Sequence, residues 1–188
     1  MNNLYYKLEL PFVIDTPGFP KPAGTFEHLQ ELTMFNYNKD SVDPRLLTLI
    51  QDLGMVVYWS EIFYTPPNTW VPIHADTNQL SNMAKINIHI GYPKCTISWY
   101  NPLPEHAHKK PLQTPLDTEY LMYSRYEVEE IYTTYIDNIS LMNAGVPHGF
   151  HNNTNEPSWI LSLVLFKNGF NAQFEEVSTL FKNYIKQQ

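Results

Sequence analysis

The chain has 188 residues, a formal net charge of −7 and a single cysteine. Its few Lys and Arg residues are scattered, which argues against nucleic acid as the main partner, and one cysteine excludes an internal disulfide. We find neither a secretory signal nor an apolar run of about 18 residues, so we expect one domain over residues 1–188, in the cytoplasm and without membrane contact.

The N-terminal quarter is predicted to contain a strand and a helix. Residues 8–14 read as an apolar strand that runs into a turn-rich segment. Asp43 and Pro44, followed by regularly spaced leucines and by Gly54, predict a helix with a capped start and a glycine stop. Residues 25–34 have a weaker helical pattern and are predicted to form a shorter helix.

Beyond Gly54 the sequence has the β-branched and aromatic content of strands. We predict seven strands, near residues 55–64, 70–74, 84–91, 95–100, 119–123, 138–142 and 158–166. Short strands separated by turn signals, without long intervening helices, favour an antiparallel sandwich or barrel.

Three further segments complete the prediction. Residues 101–119 contain four prolines and read as a long loop, which in a compact domain is typical of a functional segment. Residues 126–136 are predicted to be a short helix. The C-terminal segment carries apolar residues at helical spacing, so we expect an amphipathic helix on the outside of the sheet, built on Phe174, Val177, Phe181, Tyr184 and Ile185.

The residues that point to chemistry are His74 and Asp76. Side chains two residues apart on an extended chain lie on the same side, so this pair can bind one metal ion. An imidazole and a carboxylate are two thirds of the facial triad that holds non-haem Fe(II). His148, 72 residues after Asp76, offers the third ligand. His151 is an alternative that faces the opposite side if the segment is extended.

Together, three features resemble the Fe(II)- and 2-oxoglutarate-dependent oxygenases. They are the His74-x-Asp76 pair, the Lys85-Ile86-Asn87 strand, and the Pro147-His148-Gly149 segment before a last strand. The similarity covers roughly residues 55–167. The nearest group is the aspartyl/asparaginyl hydroxylase-like branch with its small phage and marine-bacterial relatives, so a phage-encoded chain would act in the host cytoplasm.

This resemblance implies a mainly β fold, a double-stranded β-helix (cupin-like jelly roll) with flanking helices. His74, Asp76 and His148 would hold Fe(II), which 2-oxoglutarate would chelate beside the substrate. Dioxygen would then react with loss of carbon dioxide and formation of succinate, usually ending in hydroxylation. The expected partners are dioxygen and a small molecule or a peptide side chain.

The sequence departs from the family at the residue that binds the far carboxylate of 2-oxoglutarate. The family arginine would fall near Ser158 or Trp159, and neither is basic. Lys85 is the best replacement, with Asn87 on the same strand face. Additional hydroxyl donors could come from Ser162, Thr96, Ser98 and Tyr100. Arg125 is a weaker alternative.

Two other functions remain open. One is a cupin-like metal-binding protein without the 2-oxoglutarate site, which the missing arginine keeps open. The other is a phage structural or interaction protein on a jelly-roll scaffold, which three convergent ligands disfavour because a scaffold does not need them. Other candidate residues have simpler interpretations: His89 and Cys95 are expected in the core. His106 and His108 are expected in an exposed loop.

Overall fold

The computed structural model describes residues 4–17, 32–77, 82–90, 95–113 and 119–186. Within these ranges the chain forms two α-helices, α1 (Pro44–Asp52) and α2 (Phe174–Leu180). It also forms fourteen strands: β1 (Tyr5–Lys7), β2 (Thr33–Asn36), β3 (Val56–Thr65), β4 (Thr69–Trp70), β5 (Ile73–Ala75), β6 (Ala84–Ile90), β7 (Thr96–Pro102), β8 (Leu112–Gln113), β9 (Glu119–Tyr123), β10 (Val128–Tyr135), β11 (Ile139–Asn143), β12 (His148–Asn152), β13 (Ser158–Lys167) and β14 (Phe170–Asn171).

The strands form two antiparallel sheets with the connectivity of a jelly roll. Each sheet has seven strands. The sheet with the longest strands, here called the larger sheet, has the order β1-β11-β6-β13-β3-β2 with β14 on β13, and the other, called the smaller sheet, has the order β10-β7-β12-β5-β9-β8 with β4 on β12. Eight of these strands make up the double-stranded β-helix: β3, β6, β11 and β13 lie in the larger sheet, and β5, β7, β10 and β12 lie in the smaller one. The predicted fold class is therefore confirmed: the protein is mainly β, with a cupin-like jelly roll and flanking helices.

Two layers of apolar side chains pack against the sheets and stabilise the fold. The outer layer lies between the larger sheet and the two helices, and it buries Leu46 and Ile50 of α1 together with Phe174 and Val177 of α2. The inner layer lies between the sheets and includes Trp99, which is fully buried. Among the described residues, no helix is long and apolar enough to cross a bilayer.

The larger sheet uses its two faces differently. Ile86 and Ile88 of β6 pack in the outer layer, so the alternating residues Lys85, Asn87 and His89 face the space between the sheets. An interior face that carries a lysine, an amide and a histidine is unusual for a core, because burying such groups costs free energy unless they find partners. The polar stripe on β6 is therefore the first indication of where the site lies.

The predicted helix near residues 44–53 is confirmed as α1, and Asp43 caps its N-terminus. One carboxylate oxygen of Asp43 accepts a hydrogen bond from the Arg45 backbone N–H at 2.9 Å. The other accepts from the Asp15 backbone N–H at 2.6 Å and from Arg45 Nη2 at 2.7 Å. These bonds outweigh the effect of burial and lower the pKa of Asp43 to about 2. Asp43 thus fixes both the start of α1 and the preceding segment.

Most predicted strands are confirmed within one or two residues, but the N-terminal one is misplaced. The strand lies at Tyr5–Lys7 and pairs with β11, rather than at residues 8–14. Leu8 makes only a single bridge to Ile185. Pro11 has no N–H to give to a ladder, so the segment from residue 9 to 17 packs its alternate apolar side chains on the outer layer without joining the sheet.

The predicted helix over residues 126–136 is wrong. A 3-10 turn over Arg125–Glu127 is followed by strand β10, which pairs along β7. Tyr132, Thr133, Thr134 and Tyr135 are aromatic or β-branched and favour a strand once a partner is present. The strand predicted near residues 70–74 is split into β4 and β5 by Val71 and Pro72.

Three predictions remain: the helix over residues 25–34, the loop over residues 101–119 and the C-terminal helix. The helix predicted over residues 25–34 lies mostly outside the described residues, and its last residues begin β2. The long loop at residues 101–119 contains a 3-10 turn and the short strand β8, while residues 114–118 are outside the described part. The C-terminal helix is confirmed over Phe174–Leu180, and the chain leaves the helix before Tyr184.

Asp43→Ala is expected to lower the free energy of unfolding by about 1–2 kcal/mol, because the start of α1 loses its cap. The folded pKa is depressed, so the contribution of Asp43 is complete above about pH 4 and fades as the pH falls toward about 2. Urea unfolding of Asp43→Ala at pH 7 and pH 2.5 measures both effects. Asp40→Asn, which changes an exposed carboxylate, is the matched control. Equal midpoints for Asp43→Ala and the unmodified chain at pH 7 would contradict the assignment.

Candidate metal centre

The structure brings His74, Asp76 and His148 together at one end of the smaller sheet. His74 in β5 stands directly opposite His148 in β12, so their side chains share a face. Asp76 follows the last residue of β5. Each residue offers one ligand atom, and the three ligand atoms lie within 4.8 Å of one another.

The distances fit a common ion. His74 Nε2 lies 3.3 Å from Asp76 Oδ1, and His148 Nε2 lies 3.9 Å from Asp76 Oδ2. The two imidazole centroids are 4.6 Å apart. Ligand atoms at about 2.1 Å from one metal ion in adjacent positions stand about 3 Å apart, so the ligand atoms need to close by only small side-chain movements.

Both imidazoles are oriented by main-chain carbonyls. His74 Nδ1 lies 2.7 Å from the Pro72 carbonyl oxygen, and His148 Nδ1 lies 2.9 Å from the Val146 carbonyl oxygen. A carbonyl only accepts hydrogen bonds, so Nδ1 must carry the proton in each ring. In the neutral form of each ring the lone pair is therefore on Nε2, the atom that faces Asp76. Such outer hydrogen bonds fix the tautomer that a metal ion requires. Burial opposes a charge on His74, but its hydrogen bond to Asp76 and the Asp76 charge outweigh burial and raise the pKa of His74, so the Nε2 proton that makes this bond has to leave before Nε2 can bind a metal ion.

The turn that carries Asp76 is tied to the turn that precedes His148. The Asp76 backbone N–H donates to the Ala144 carbonyl at 2.9 Å, and the Ala144 N–H donates to the Met83 carbonyl at 2.8 Å. The Asn143 carbonyl accepts from Trp99 Nε1 at 3.1 Å. These bonds fix the position of Asp76 relative to His148, although the two residues are distant in the sequence.

Lys85 joins the larger sheet to this group. Its ammonium lies 2.9 Å from Asp76 Oδ2 and 3.6 Å from Glu61 Oε2, and all three side chains are largely buried. Asp76 Oδ1 faces His74, so the carboxylate presents one oxygen to the candidate metal position and the other to Lys85. Lys85 is thus placed to hold the orientation of Asp76.

The protonation states follow from this packing. Burial disfavours every charge here, but the charge of Lys85 and the hydrogen bond from His74 outweigh it and hold the pKa of Asp76 well below its usual value. Burial likewise opposes the charge on Lys85, yet Asp76 and Glu61 raise its pKa. Burial and the neighbouring His74 lower the pKa of His148 to about 4, which leaves its Nε2 free of a proton at neutral pH.

A cleft of about 780 Å³ opens beside the candidate ligands. Its described walls include His74, Asp76, Lys85 and Glu61, together with the rim residue Glu119. The rest of the lining is mostly apolar and aromatic, and includes Trp59, Phe63, Tyr64, Tyr120, Met122 and Phe166. A mostly apolar cleft with a few convergent polar groups is the usual form of a small-molecule site.

Asn87 and Ser162 face the same interior. They stand opposite each other on β6 and β13, one alternation along from Lys85. The side-chain amide of Asn87 has only the Met142 sulfur as a hydrogen-bond acceptor, at 2.8 Å. A thioether is a weak acceptor, so this amide can donate to a better partner. The buried Asn87 Oδ1 has no hydrogen-bond partner among the described residues.

Other residues considered from the sequence lie elsewhere. His151 stacks on Trp70, with ring centroids 3.7 Å apart, on the face of β12 opposite to His148. Because Ile97 and Trp99 face the inner layer, the alternating residues Thr96, Ser98 and Tyr100 point to the other face of β7. Arg125 lies over the Tyr100 ring, more than half exposed.

The family arginine has no counterpart at its usual position. Ser158 Oγ is 2.8 Å from His89 Nε2 in a buried pair, and Trp159 packs against Tyr64 in the outer layer. His89 and Cys95 are both buried, as expected for core residues. His106 lies in the connection between β7 and β10, with its Nδ1 3.6 Å from Glu127. Neither is among the described residues that line the cleft.

Glu61 is the site residue that the sequence reasoning missed. It is the single charged residue in the apolar and aromatic strand β3. A lone carboxylate in such a strand is a signal in itself, because acidic side chains are almost never buried without a partner. The pattern of β3 could therefore have marked Glu61 as a candidate site residue.

Comparisons with protein-family models and with curated proteins find no match. Among solved structures, the fold is similar to E. coli ycfD, with 15% identity, a TM-score of 0.44 and coverage of 74% of this chain and 36% of that one. It is also similar to HygX from Streptomyces hygroscopicus with nickel and 2-oxoglutarate bound, with 11% identity, a TM-score of 0.43 and coverage of 82% and 73%.

The chain therefore spans about a third of the length of ycfD. A third similar structure is oxalate oxidase in complex with the substrate analogue glycolate, with 8% identity, a TM-score of 0.38 and coverage of 75% of this chain and 53% of that one. At these identities the likeness concerns the general fold, and it carries no information on the ligand or substrate of this chain.

His74→Ala and His148→Ala are each expected to weaken Co(II) binding by about a hundredfold or more, since even the loss of an outer hydrogen bond to a ligand costs 10–100-fold. Isothermal titration calorimetry measures the affinity. His151→Ala is the matched control and should bind like the unmodified chain. If His151→Ala loses affinity while His148→Ala keeps it, the ligand assignment is wrong.

Proposed function

We propose that the protein is an Fe(II)- and 2-oxoglutarate-dependent dioxygenase that hydroxylates a small molecule or a peptide side chain. The observation that carries this proposal is the pair of cross-strand histidines whose Nε2 atoms converge on Asp76. Two imidazoles and one carboxylate on one side of an ion leave the opposite positions open for a cosubstrate and dioxygen. Kinship with the aspartyl/asparaginyl hydroxylase-like branch is part of the same proposal.

The residues of the chain would each have a defined task. His74 and His148 would bind the iron through Nε2, held in that tautomer by the carbonyls of Pro72 and Val146. Asp76 would bind through the oxygen that faces His74, while Lys85 holds the other oxygen. The iron and 2-oxoglutarate, when bound, supply the oxidising chemistry. The apolar walls of the cleft would exclude water from the reacting groups.

Lys85, Asn87 and Ser162 would bind the far carboxylate of 2-oxoglutarate in place of the missing arginine. An ammonium has three N–H donors, and only one is needed for the 2.9 Å contact with Asp76. Asn87 can turn its amide from the Met142 sulfur to a carboxylate. The three side chains share the inner face of the larger sheet, which supports a common ligand.

A second candidate function is a cupin-like metal-binding protein without a 2-oxoglutarate site. One specific observation favours it: Lys85 is already close to two carboxylates, Asp76 and Glu61. A further carboxylate from 2-oxoglutarate would meet repulsion from Glu61, because like charges at short range disfavour each other in a buried site. The balance between the two functions depends on whether Lys85 keeps a donor for this ligand.

Anaerobic titration of the Fe(II)-loaded protein with 2-oxoglutarate separates the two candidates. Chelation of the metal by the 2-oxo and carboxylate groups is expected to produce a weak visible charge-transfer band. Its appearance at saturable concentrations supports the dioxygenase. Tight iron binding with no band at any 2-oxoglutarate concentration would favour the metal-binding alternative.

Lys85→Ala is expected to weaken 2-oxoglutarate binding by about tenfold or more, because the cosubstrate loses its charge-assisted hydrogen bond. The same anaerobic titration gives the 2-oxoglutarate affinity, and calorimetry with Co(II) separates this loss from any effect of Lys85 on the metal ligand Asp76. Lys109→Ala removes a lysine that pairs with Glu127 outside the cleft and serves as the control. Unchanged 2-oxoglutarate affinity in Lys85→Ala would remove Lys85 from this role.

A further inference from the structure

Glu61 lines the cleft as a buried carboxylate with little to bind it. Its side chain is about 5% exposed, and its charged partner among the described residues is Lys85 Nζ at 3.6 Å. That distance is too long for a hydrogen bond. No other described residue donates a hydrogen bond to this carboxylate. A carboxylate has about four acceptor positions, and Glu61 lines the cleft, so a ligand there that donates hydrogen bonds can use the remaining positions.

The contacts of Lys85 do not fill the acceptor positions of Glu61. Lys85 lies closer to Asp76, at 2.9 Å, than to Glu61. Lys85 is also the single Lys or Arg among the described residues that line the cleft, and it lies next to two carboxylates there, Asp76 and Glu61. The ammonium of Lys85 is therefore shared between two acids, and Glu61 is the more distant of them.

Aromatic side chains flank Glu61 on the same face of β3. Trp59 and Phe63 stand two residues before and after it, and both line the cleft. An aromatic face attracts a cation, and the attraction strengthens when the cation is removed from water. A carboxylate between two aromatic rings thus favours a positively charged donor with an apolar stem.

We infer that Glu61, with Trp59 and Phe63, forms the subsite that binds a basic amine of the substrate. The ammonium donates hydrogen bonds to the Glu61 carboxylate, and its apolar stem packs on the aromatic walls. The amine is carried either by a free small molecule or by the side chain of a lysine in a peptide. The inference rests on the proposed function in one respect: the bound amine is a substrate only if the neighbouring metal centre is catalytic.

The position of Glu61 relates the amine to the metal centre. Glu61 and Asp76 both lie close to the ammonium of Lys85, at 3.6 and 2.9 Å. A ligand held at Glu61 is therefore one lysine head group away from the candidate iron ligands, and its stem extends along the cleft that His74 also lines. Glu61 is a binding residue in this arrangement, and it touches neither the metal nor the reacting carbon.

The test compares probes of similar size and different charge on the protein without added metal, so that no probe can bind to a metal ion. The probes are 2-phenylethylamine, 2-phenylethanol and 3-phenylpropionate, and binding is followed by calorimetry and ligand-observed NMR. We expect the amine to bind at least about tenfold more tightly than either analogue, since hydrogen bonds to an ionised group are the strong ones. Equal binding of the three probes, or preference for the carboxylate, overturns the inference.

Variants then show which carboxylate causes the preference for the amine. Glu61→Gln is expected to lose at least about tenfold in amine affinity while binding of the neutral probe is unchanged. Glu129→Gln, which changes an exposed carboxylate on β10 that does not line the cleft, should stay within about twofold. Full amine preference in a folded Glu61→Gln overturns the inference. If this variant does not fold, the comparison of probes on the unmodified chain still decides.

The source of the amine is tested with Nα-acetyl-lysine methylamide and its Nε-acetylated form. Preference for the free lysine ammonium over 2-phenylethylamine supports a peptide substrate, and the reverse supports a free amine. These binding measurements are independent of 2-oxoglutarate. An amine preference without the charge-transfer band supports the Glu61 subsite and contradicts the dioxygenase. A charge-transfer band without an amine preference supports the dioxygenase and contradicts the Glu61 subsite.

Discussion

The contact between Lys85 and Asp76 is the interaction on which the site depends. It joins β6 of the larger sheet to the end of β5 in the smaller one, and both charges are largely buried. Neither charge is stable alone in this position, because removing one partner of a buried ion pair commonly costs 3–5 kcal/mol. The two sheets are therefore held at the one spacing that satisfies both groups. His74 lies on β5, and the pairing of β5 with β12 places His148 opposite it, so the positions of both histidines depend on the same contact.

The same contact adjoins two chemical environments in the cleft. In one, the Nε2 atoms of His74 and His148 and one oxygen of Asp76 lie close together. In the other, Glu61 stands between Trp59 and Phe63 along β3, with Lys85 Nζ at 3.6 Å. The first environment suits a metal ion, and the second is the one that we infer binds a positively charged organic group. Lys85 contacts both, through Asp76 at 2.9 Å and through Glu61 at 3.6 Å.

The sequence predicted the parts of the site that depend on local spacing. His74 and Asp76 fall on one side because side chains of an extended chain alternate, and the resemblance to the oxygenases indicated His148. The contacts of Lys85 join residues on different sheets, and no local pattern carries that information. The strand β10 was mistaken for a helix for the same reason: its conformation is set by pairing with β7, which lies about thirty residues earlier.

One part of the cleft wall lies outside the eight-strand frame. Strand β9 lies in the insertion between β7 and β10, joins the open edge of β5 and carries Tyr120 and Met122 into the lining. The alternate residues of β9, Leu121 and Tyr123, are buried in a core cluster with Ala75. Substituting Tyr120 and Met122 would therefore reshape the pocket while the pairing and packing of β9 on β5 stay in place. New selectivity can thus be engineered at these two positions without redesigning the core.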